Sequence, residues 1–592
     1  MFGAGEHVMG SDLYTDVRNA LHQVRSNEPA GLPLVVFTGA AGSMAGPSAL
    51  PVVAAFYETL RDEVLALDPA PEPLAAGLGT ALIQSRVPFE LLMQTIRDAT
   101  RQSADSFVDE LLTAVYSAGV PNGVHHAVMD SLADGTVQLV LTVNFDGLLE
   151  AARPSADVVV TRGDFERLAE EVIGGRLARP TVAHVHGAAA VSGSLVGLMD
   201  QVGEVLGGPR RLLLEHLRDN AAFVFLGYGG TDQDIRPILQ DVVPDDDRPY
   251  HAAERRGWRI SRSHKHHRDI VVNLNPEKTK PIAAAMVLRA RLHALPRAEQ
   301  LKVIGAVSAS AGLTMEAVER FAWSLDESWT PSGAYMLGSS LSALHLYPQA
   351  LQATASPHAR LDPPLRARWQ NRRAFWMRHA GRIATAAKEL QSLRRELTDQ
   401  VKAAPTADAE AQLIDALLHE VDCKLLVASM RWGSWRRRRV AEIASLLTEA
   451  RARIAAAEQL PPVSSRVAYY EADLLLLQGR PAEAASSYRK YGKEVAYWAP
   501  GGRVIALLRE AAAWRAARRF RKAWARWREG FVLARERGSL AAMIQYLVAL
   551  AAVGVMGSTG YWGPRLLASF AYPLYAWGKG LWLGGVRRVA LR

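Results

Sequence analysis

The chain has 592 residues, 49% of them hydrophobic and 22% charged, with a net charge of +9. That length exceeds what one hydrophobic core sustains, so at least two domains are expected, and the ordinary composition excludes a disordered chain. A single cysteine, Cys423, excludes a disulfide framework and a zinc ribbon, while the arginine-rich charge favours acidic partners without choosing among them.

The N-terminus shows no charged leader followed by an apolar core, so a cytoplasmic location is expected. Up to about Pro276, short apolar runs alternate with longer amphipathic stretches, the pattern of a parallel sheet covered by helices on both faces. The first run, Leu34 to Thr38, enters the small-residue turn Gly39-Ala40-Ala41-Gly42-Ser43. Small residues let backbone N–H groups approach a pyrophosphate, and a following helix would add its positive end. A tight turn without a ligand would look the same. Residues 51 to 132 are too many for a simple crossover and read as a helical insertion forming one wall of a pocket.

The second run, Leu139 to Thr142, continues into Val143-Asn144-Phe145-Asp146-Gly147. It places Asn144 and Asp146 at a strand's carboxyl end, where open α/β sheets bind ligands. An Asx turn explains Asp146-Gly147 but leaves Asn144 without a role. The third run, Thr181 to His186, carries two histidines, read as alternating on one strand face; His186, beside Gly187, lies nearer the crevice. The fourth, Ala222 to Leu226, precedes Gly227-Tyr228-Gly229-Gly230, and a fifth, Ile270 to Leu274, ends in Asn275-Pro276.

Taken in this order, the Gly39 to Ser43 turn, Thr142-Val143-Asn144-Phe145-Asp146, His186-Gly187 and Gly227-Tyr228 resemble the motifs of the Sir2 (sirtuin) family over roughly Leu32 to Pro276. The resemblance implies a Rossmann-like domain that takes NAD as substrate. It assigns Asn144 to the ribose and the attacking water, Asp146 to the nicotinamide carboxamide, and His186 to general-base work. Gly39, Ala40, Ala41, Ser43 and Gly227 would line the phosphates, and Asn273 would reach the adenine-side ribose. The chain departs from the family pattern at Ala41, where a glycine is displaced to Gly42, and at Gly229, where serine is usual. It also lacks the four-cysteine zinc module of the protein deacylases, so no metal is expected and water is the simplest acceptor. Zinc-free relatives joined to a second domain are bacterial antiphage effectors, which implies an NAD glycohydrolase held off until triggered. The alternative is a non-catalytic sensor of NAD or an ADP-ribose-type signal, and a third reading is an NAD-dependent protein deacylase.

After about Lys280 the strand runs give way to Ala, Leu and Arg at helical spacing. Gly381-Arg382, Ala386 and Leu390 match Gly479-Arg480, Ala484 and Tyr488, with a third copy at Arg518, Ala523 and Trp527 in which the glycine is lost. This spacing resembles tetratricopeptide repeats. The fold class is therefore α/β, a Rossmann-like parallel sheet with a helical insertion (1–290), followed by an all-α helical-repeat domain (291–537) acting as sensor or scaffold. A homo-oligomer and an infection-derived or protein trigger are the expected partners. Two segments mix tryptophan with arginine, Arg431 to Arg439 and Trp514 to Arg528. Such surfaces can stack bases and neutralise phosphates, or be helix faces with tryptophan inward and arginine solvated; the second reading is preferred, so nucleic acid is not an expected partner. The apolar tail, 538–592, reads as helices packed on the scaffold or anchored in a membrane.

Overall fold

The computed structural model describes residues 6–28, 31–84, 88–100, 106–117, 119–177, 179–191, 194–196, 208–229, 232, 235–239, 257–260, 282–328, 330–344, 346–355, 363–429, 434–456, 461–498 and 500–536. Asn273 with the fifth apolar run, Arg431 to Gly433 and the tail 538–592 lie outside these residues. The chain divides into two compact units, Met1–Ala311 and Gly312–Arg592.

The first unit opens with helix α1 (Glu6–Asn27) and strand β1 (Leu34–Thr38). Five helices then form the expected insertion: α2 (Val53–Leu67), α3 (Pro71–Gln84), α4 (Phe89–Thr100), α5 (Phe107–Tyr116) and α6 (Gly123–Ala133). There follow β2 (Leu139–Thr142), α7 (Leu148–Ala152), β3 (Asp157–Val159), α8 (Arg162–Ile173), β4 (Thr181–His184), α9 (Gly208–Asn220), β5 (Ala222–Leu226), α10 (Arg236–Leu239) and β6 (Gly257–Ile260). Helices α11 (Ile282–Ala294) and α12 (Arg297–Ser310) pack back on the insertion.

All six strands pair in parallel, in the order β3-β4-β2-β1-β5-β6. The central strands β1, β2, β4 and β5 are buried along their whole length, as near-continuous apolar runs require. Leu34, Val36, Val140, Val182 and Val224 share one core with Val17 and Leu21 of α1 and Val128 and Leu132 of α6. The strands β3 and β6 escape a reading by hydrophobic runs because they are short edge strands holding Asp157 and Arg259.

Register decides where the motifs meet. Ile260, Leu226, Thr38, Thr142 and His184 are successive partners across the sheet, so their strands end in one level row. Every motif begins just beyond that row.

The second unit is helical throughout its described residues: α13 (Thr314–Glu327), α14 (Pro331–Ala343), α15 (Tyr347–Ala353), α16 (Pro363–His379), α17 (Ile383–Ala403), α18 (Ala407–Ser429), α19 (Ser434–Ala456), α20 (Pro461–Leu477), α21 (Pro481–Trp498), α22 (Pro500–Ala516) and α23 (Phe520–Glu536). The three repeat copies share one turn. Gly381, Gly479 and Arg518 all adopt a left-handed backbone, with φ of 82°, 78° and 57°. In each, that residue's N–H bonds the carbonyl three residues back and the next N–H bonds the carbonyl five back, at 2.8 to 3.1 Å, closing the helix as a Schellman motif. Ala386, Leu390, Ala484 and Tyr488 are buried behind the first two turns. Ala523 and Trp527, on the last described helix, are half-buried. Because a left-handed arginine costs roughly 1 kcal/mol relative to glycine, Arg518→Gly is expected to raise the chemical-denaturation stability of this unit by about that amount. No described helix is long and apolar enough to cross a membrane.

Candidate functional site

In the loop between β2 and α7, Asn144 and Asp146 both reach Ser43 while Phe145 packs on the insertion. Phe145 is held by Tyr116 and Phe89 of the insertion, at ring separations of 5.4 and 6.4 Å. Its aromatic anchor fixes the two polar neighbours. The Asn144 N–H donates to Thr142 Oγ1 at 3.0 Å, and its carbonyl accepts from His184 Nδ1 at 3.1 Å.

Ser43 is the hub that joins them. Its hydroxyl donates to Asp146 Oδ2 at 3.0 Å, accepts from Asn144 Nδ2 at 3.2 Å, and lies 3.1 Å from His125 Nε2. The direction of the last bond follows from the start of α6. There Asn122 caps the helix, its Oδ1 accepting from the N–H of Val124, while its own N–H donates to His125 Nδ1 at 3.1 Å. With Nδ1 an acceptor, the neutral imidazole carries its proton on Nε2 and donates to Ser43. Burial pushes the His125 imidazole down to about 3, with His126 adding to it, so the ring stays neutral. The Ser43 hydroxyl thus uses one donor and two acceptor positions, its full capacity. Asn122 Nδ2 completes the frame by donating to the carbonyls of Gly42 and Ala45.

Asp146 is buried and its carboxyl is pushed up to about 6, chiefly by desolvation; the bonds from Ser43 and the Leu148 N–H, with nearby His184, oppose the rise. His184 bridges two loops, donating from Nδ1 to the Asn144 carbonyl and sharing a hydrogen bond between Nε2 and the Glu150 carboxyl group. Burial lowers its pKa, but Glu150, the Asn144 carbonyl and Asp146 together outweigh that and the net shift is upward. Asn144 Oδ1 stands apart: it is buried and accepts no hydrogen bond from the described residues. An orphaned buried acceptor costs about 1–3 kcal/mol, which a donor supplied by a ligand would recover.

The two histidines do not share a strand. β4 ends at His184, and Gly187 turns the chain with φ of 81°, its N–H bonding the His184 carbonyl. Alternation therefore stops at the strand end. His184 serves as a cross-brace between loops, while His186 is buried in the turn beyond, its carbonyl accepting from the Val196 N–H at 2.7 Å. The same turn is tied to the Asn144 loop by the Ala189 N–H, which reaches the Phe145 carbonyl at 2.7 Å.

The Gly39 to Ser43 turn differs from expectation in one respect. It forms a single 3-10 turn over Ala40–Ser43, and the next α-helix, α2, begins only at Val53, so no α-helix N-terminus follows it directly. Two of its amides bind the β5 loop, Gly39 N–H to the Leu226 carbonyl at 3.0 Å and Ala41 N–H to the Gly227 carbonyl at 3.2 Å. The loops approach so closely that a Cβ on Gly227 would lie 2.5 Å from the Gly42 nitrogen, and one on Gly39 2.7 Å from the Gly227 carbonyl oxygen. Both glycines are required by this packing.

Ser43, Asn144 and Asp146 are thus joined directly, Gly39, Ala41 and Gly227 form the adjoining wall, and His186 lies on the neighbouring strand's loop. The sequence reading passed over Asn122, His125 and Glu150. The signal for the first two was an Asn followed three residues later by a polar side chain ahead of an apolar helix, a capping pattern.

Residues 138–272 match the family model described as a SIR2-like domain. Among solved structures, the chain is similar to a Signal Transduction ATPase with Numerous Domains protein with a tetratricopeptide repeat sensor from Pyrococcus horikoshii. The identity is 11%, the match covers 97% of this chain and 94% of that one, and the TM-score is 0.31. No curated protein matches. Asn144, Asp146, His184, His186 and Gly227 all lie within the segment that matches the SIR2-like family model.

Proposed function

We propose that the first unit binds NAD and cleaves its bond between nicotinamide and ribose, with water as acceptor, releasing nicotinamide and ADP-ribose. The observation that carries this reading is the Ser43–Asn144–Asp146 network at the carboxyl edge of a parallel sheet, with the buried Asn144 Oδ1 unpaired among the described residues. That oxygen would accept from the ribose hydroxyl or the attacking water and hold it in line, the positioning that such displacements need. The Asp146 carboxylate, held by Ser43, would accept from the nicotinamide carboxamide. His186 would take the proton from the ribose hydroxyl or water. The Gly39–Ser43 and Gly227 loops would line the phosphates, and the single cysteine argues for water over an acyl-lysine peptide. A helical-repeat unit joined to such an enzyme suits an effector of bacterial antiphage defence, triggered to deplete NAD.

Incubating the full chain with NAD, with and without infected-cell extract, and following nicotinamide release tests the reading. Tight NAD binding without release under either condition would instead support a nucleotide sensor. A pH profile adds a sharper check. Because only ionised Asp146 accepts at both oxygens, and then through stronger charge-assisted bonds, activity is expected to rise with pH through about 6, and the limb should persist in the residual activity of His186→Gln.

The same shift has a stability cost of opposite consequence. A carboxyl raised from 3.8 to about 6 binds its proton more tightly when folded, so folding stability falls as pH rises between those values, by about 3 kcal/mol in total. Asp146→Asn is therefore expected to abolish NAD cleavage at neutral pH without lowering the unfolding temperature.

A further inference from the structure

The last three described helices, α21 to α23, enclose two adjoining cavities of about 570 and 550 Å³ that share Arg503 and Glu529. Their walls carry five cations, Arg489, Lys493, Arg503, Arg526 and Arg528, against two carboxylates, Glu510 and Glu529. Glu510 is buried and is already held by Arg489, at 2.7 and 3.0 Å, and by the Trp514 indole N–H at 3.0 Å. Glu529 engages Arg526 and, at 3.4 Å, Arg503. Lys493 and Arg528 are both exposed and pair with no carboxylate among the described residues. Three positive charges are left in excess around the two cavities.

A planar surface stands beside them. Trp524 stacks on Trp527 at 5.1 Å and 9°, and Trp527 on Phe531 at 5.3 Å and 7°. Trp514 faces inward as expected of such a segment, but Trp524 is 55% exposed and lines the smaller cavity with Arg503 and Arg528. A rigid indole whose exposed surface borders the Arg528 guanidinium, unpaired among the described residues, with Arg503 held only at 3.4 Å by Glu529, has the chemistry of base stacking combined with phosphate binding.

We propose that this groove binds a phosphate-bearing nucleotide, its base stacked on Trp524 and its phosphates held by Arg503, Arg528 and Lys493. The cavity volumes are those of small-molecule sites. Trp524 is the one aromatic side chain lining its cavity among the described residues, whereas binders of single-stranded nucleic acid stack successive bases on several rings. The site shares no residue with the network around Ser43.

Calorimetric titration of the full chain with ATP, adenosine, inorganic tripolyphosphate, hexaglutamate and a ten-nucleotide oligothymidylate tests it. ATP is expected to bind at least tenfold more tightly than any of the other four. Arg503→Glu and Trp524→Ala should each weaken ATP about tenfold, while Trp524→Phe and Asn144→Ala retain it at this site. The substituted side chains are partly or well exposed, so unchanged circular dichroism is expected. ATP affinity unmoved by both substitutions overturns the proposal. So does tripolyphosphate, hexaglutamate or the oligonucleotide binding as tightly as ATP, or no binding of ATP at all.

Discussion

Asn144→Ala is expected to lower the rate of nicotinamide release from NAD by about a thousandfold, at the upper end of what loss of one preorganised hydrogen-bonding group costs. The substitution removes both the Oδ1 acceptor and the Nδ2 donor that binds Ser43. The fold should survive, because the bonds that fix this loop are made by the Asn144 backbone, to Thr142 Oγ1 and from His184 Nδ1. Chromatographic quantitation of nicotinamide, with thermal unfolding as control, separates the two effects. Ser43→Ala releases Asn144, Asp146 and His125 from their hub, and is expected to cost about ten- to a hundredfold. Activity of Asn144→Ala within threefold of the parent would remove this residue from the chemistry.

Gly187→Ala is expected to destabilise the first unit by about 4 kcal/mol or more, enough to remove most of it from the soluble fraction. A Cβ there would sit 1.9 Å from the Ser194 carbonyl oxygen, and the backbone is left-handed as well. The obstacle cannot swing aside. Ser194 is backbone, and its own hydroxyl is tied to Ala188 and Val191 at 2.7 to 3.1 Å. Gly175→Ala provides the control, since its φ is also positive, at 65°, but its Cβ would meet nothing within 4 Å. That variant should lose only about 1 kcal/mol. If the two variants unfold together in urea, the close approach of the His186 turn to Ser194 is not what the glycine serves.

The strands that carry the site were legible because buried parallel strands are written as unbroken apolar runs with abrupt ends. Leu34–Thr38, Leu139–Thr142 and Ala222–Leu226 are found over the residues their runs delimit. The repeat, including its glycine-free copy at Arg518, was legible from spacing because the turn needs one left-handed residue followed by a small and then a large helical side chain. Local sequence failed where the deciding contact was distant. The run Thr181 to His186 overstated its strand by two residues, since Gly187 and the Ser194 backbone impose the turn. The tryptophans of the segment Trp514 to Arg528 were expected inward, yet Trp524 lies outward on the last described helix.

The sequence by itself determined which residues would stand at strand ends, because burial and turn chemistry are encoded within a few neighbours. The tertiary structure alone decided which of them touch. Parallel register sets Thr38, Thr142 and His184 in one row, and this brings Ser43 to Asp146 across 103 positions of chain and to His125 across 82. It also divided the histidines' work, making His184 a brace between the Asn144 carbonyl and Glu150 and His125 a neutral donor to Ser43. Protonation and partner choice depend on what packs against a group in space, and no spacing along the chain specifies that.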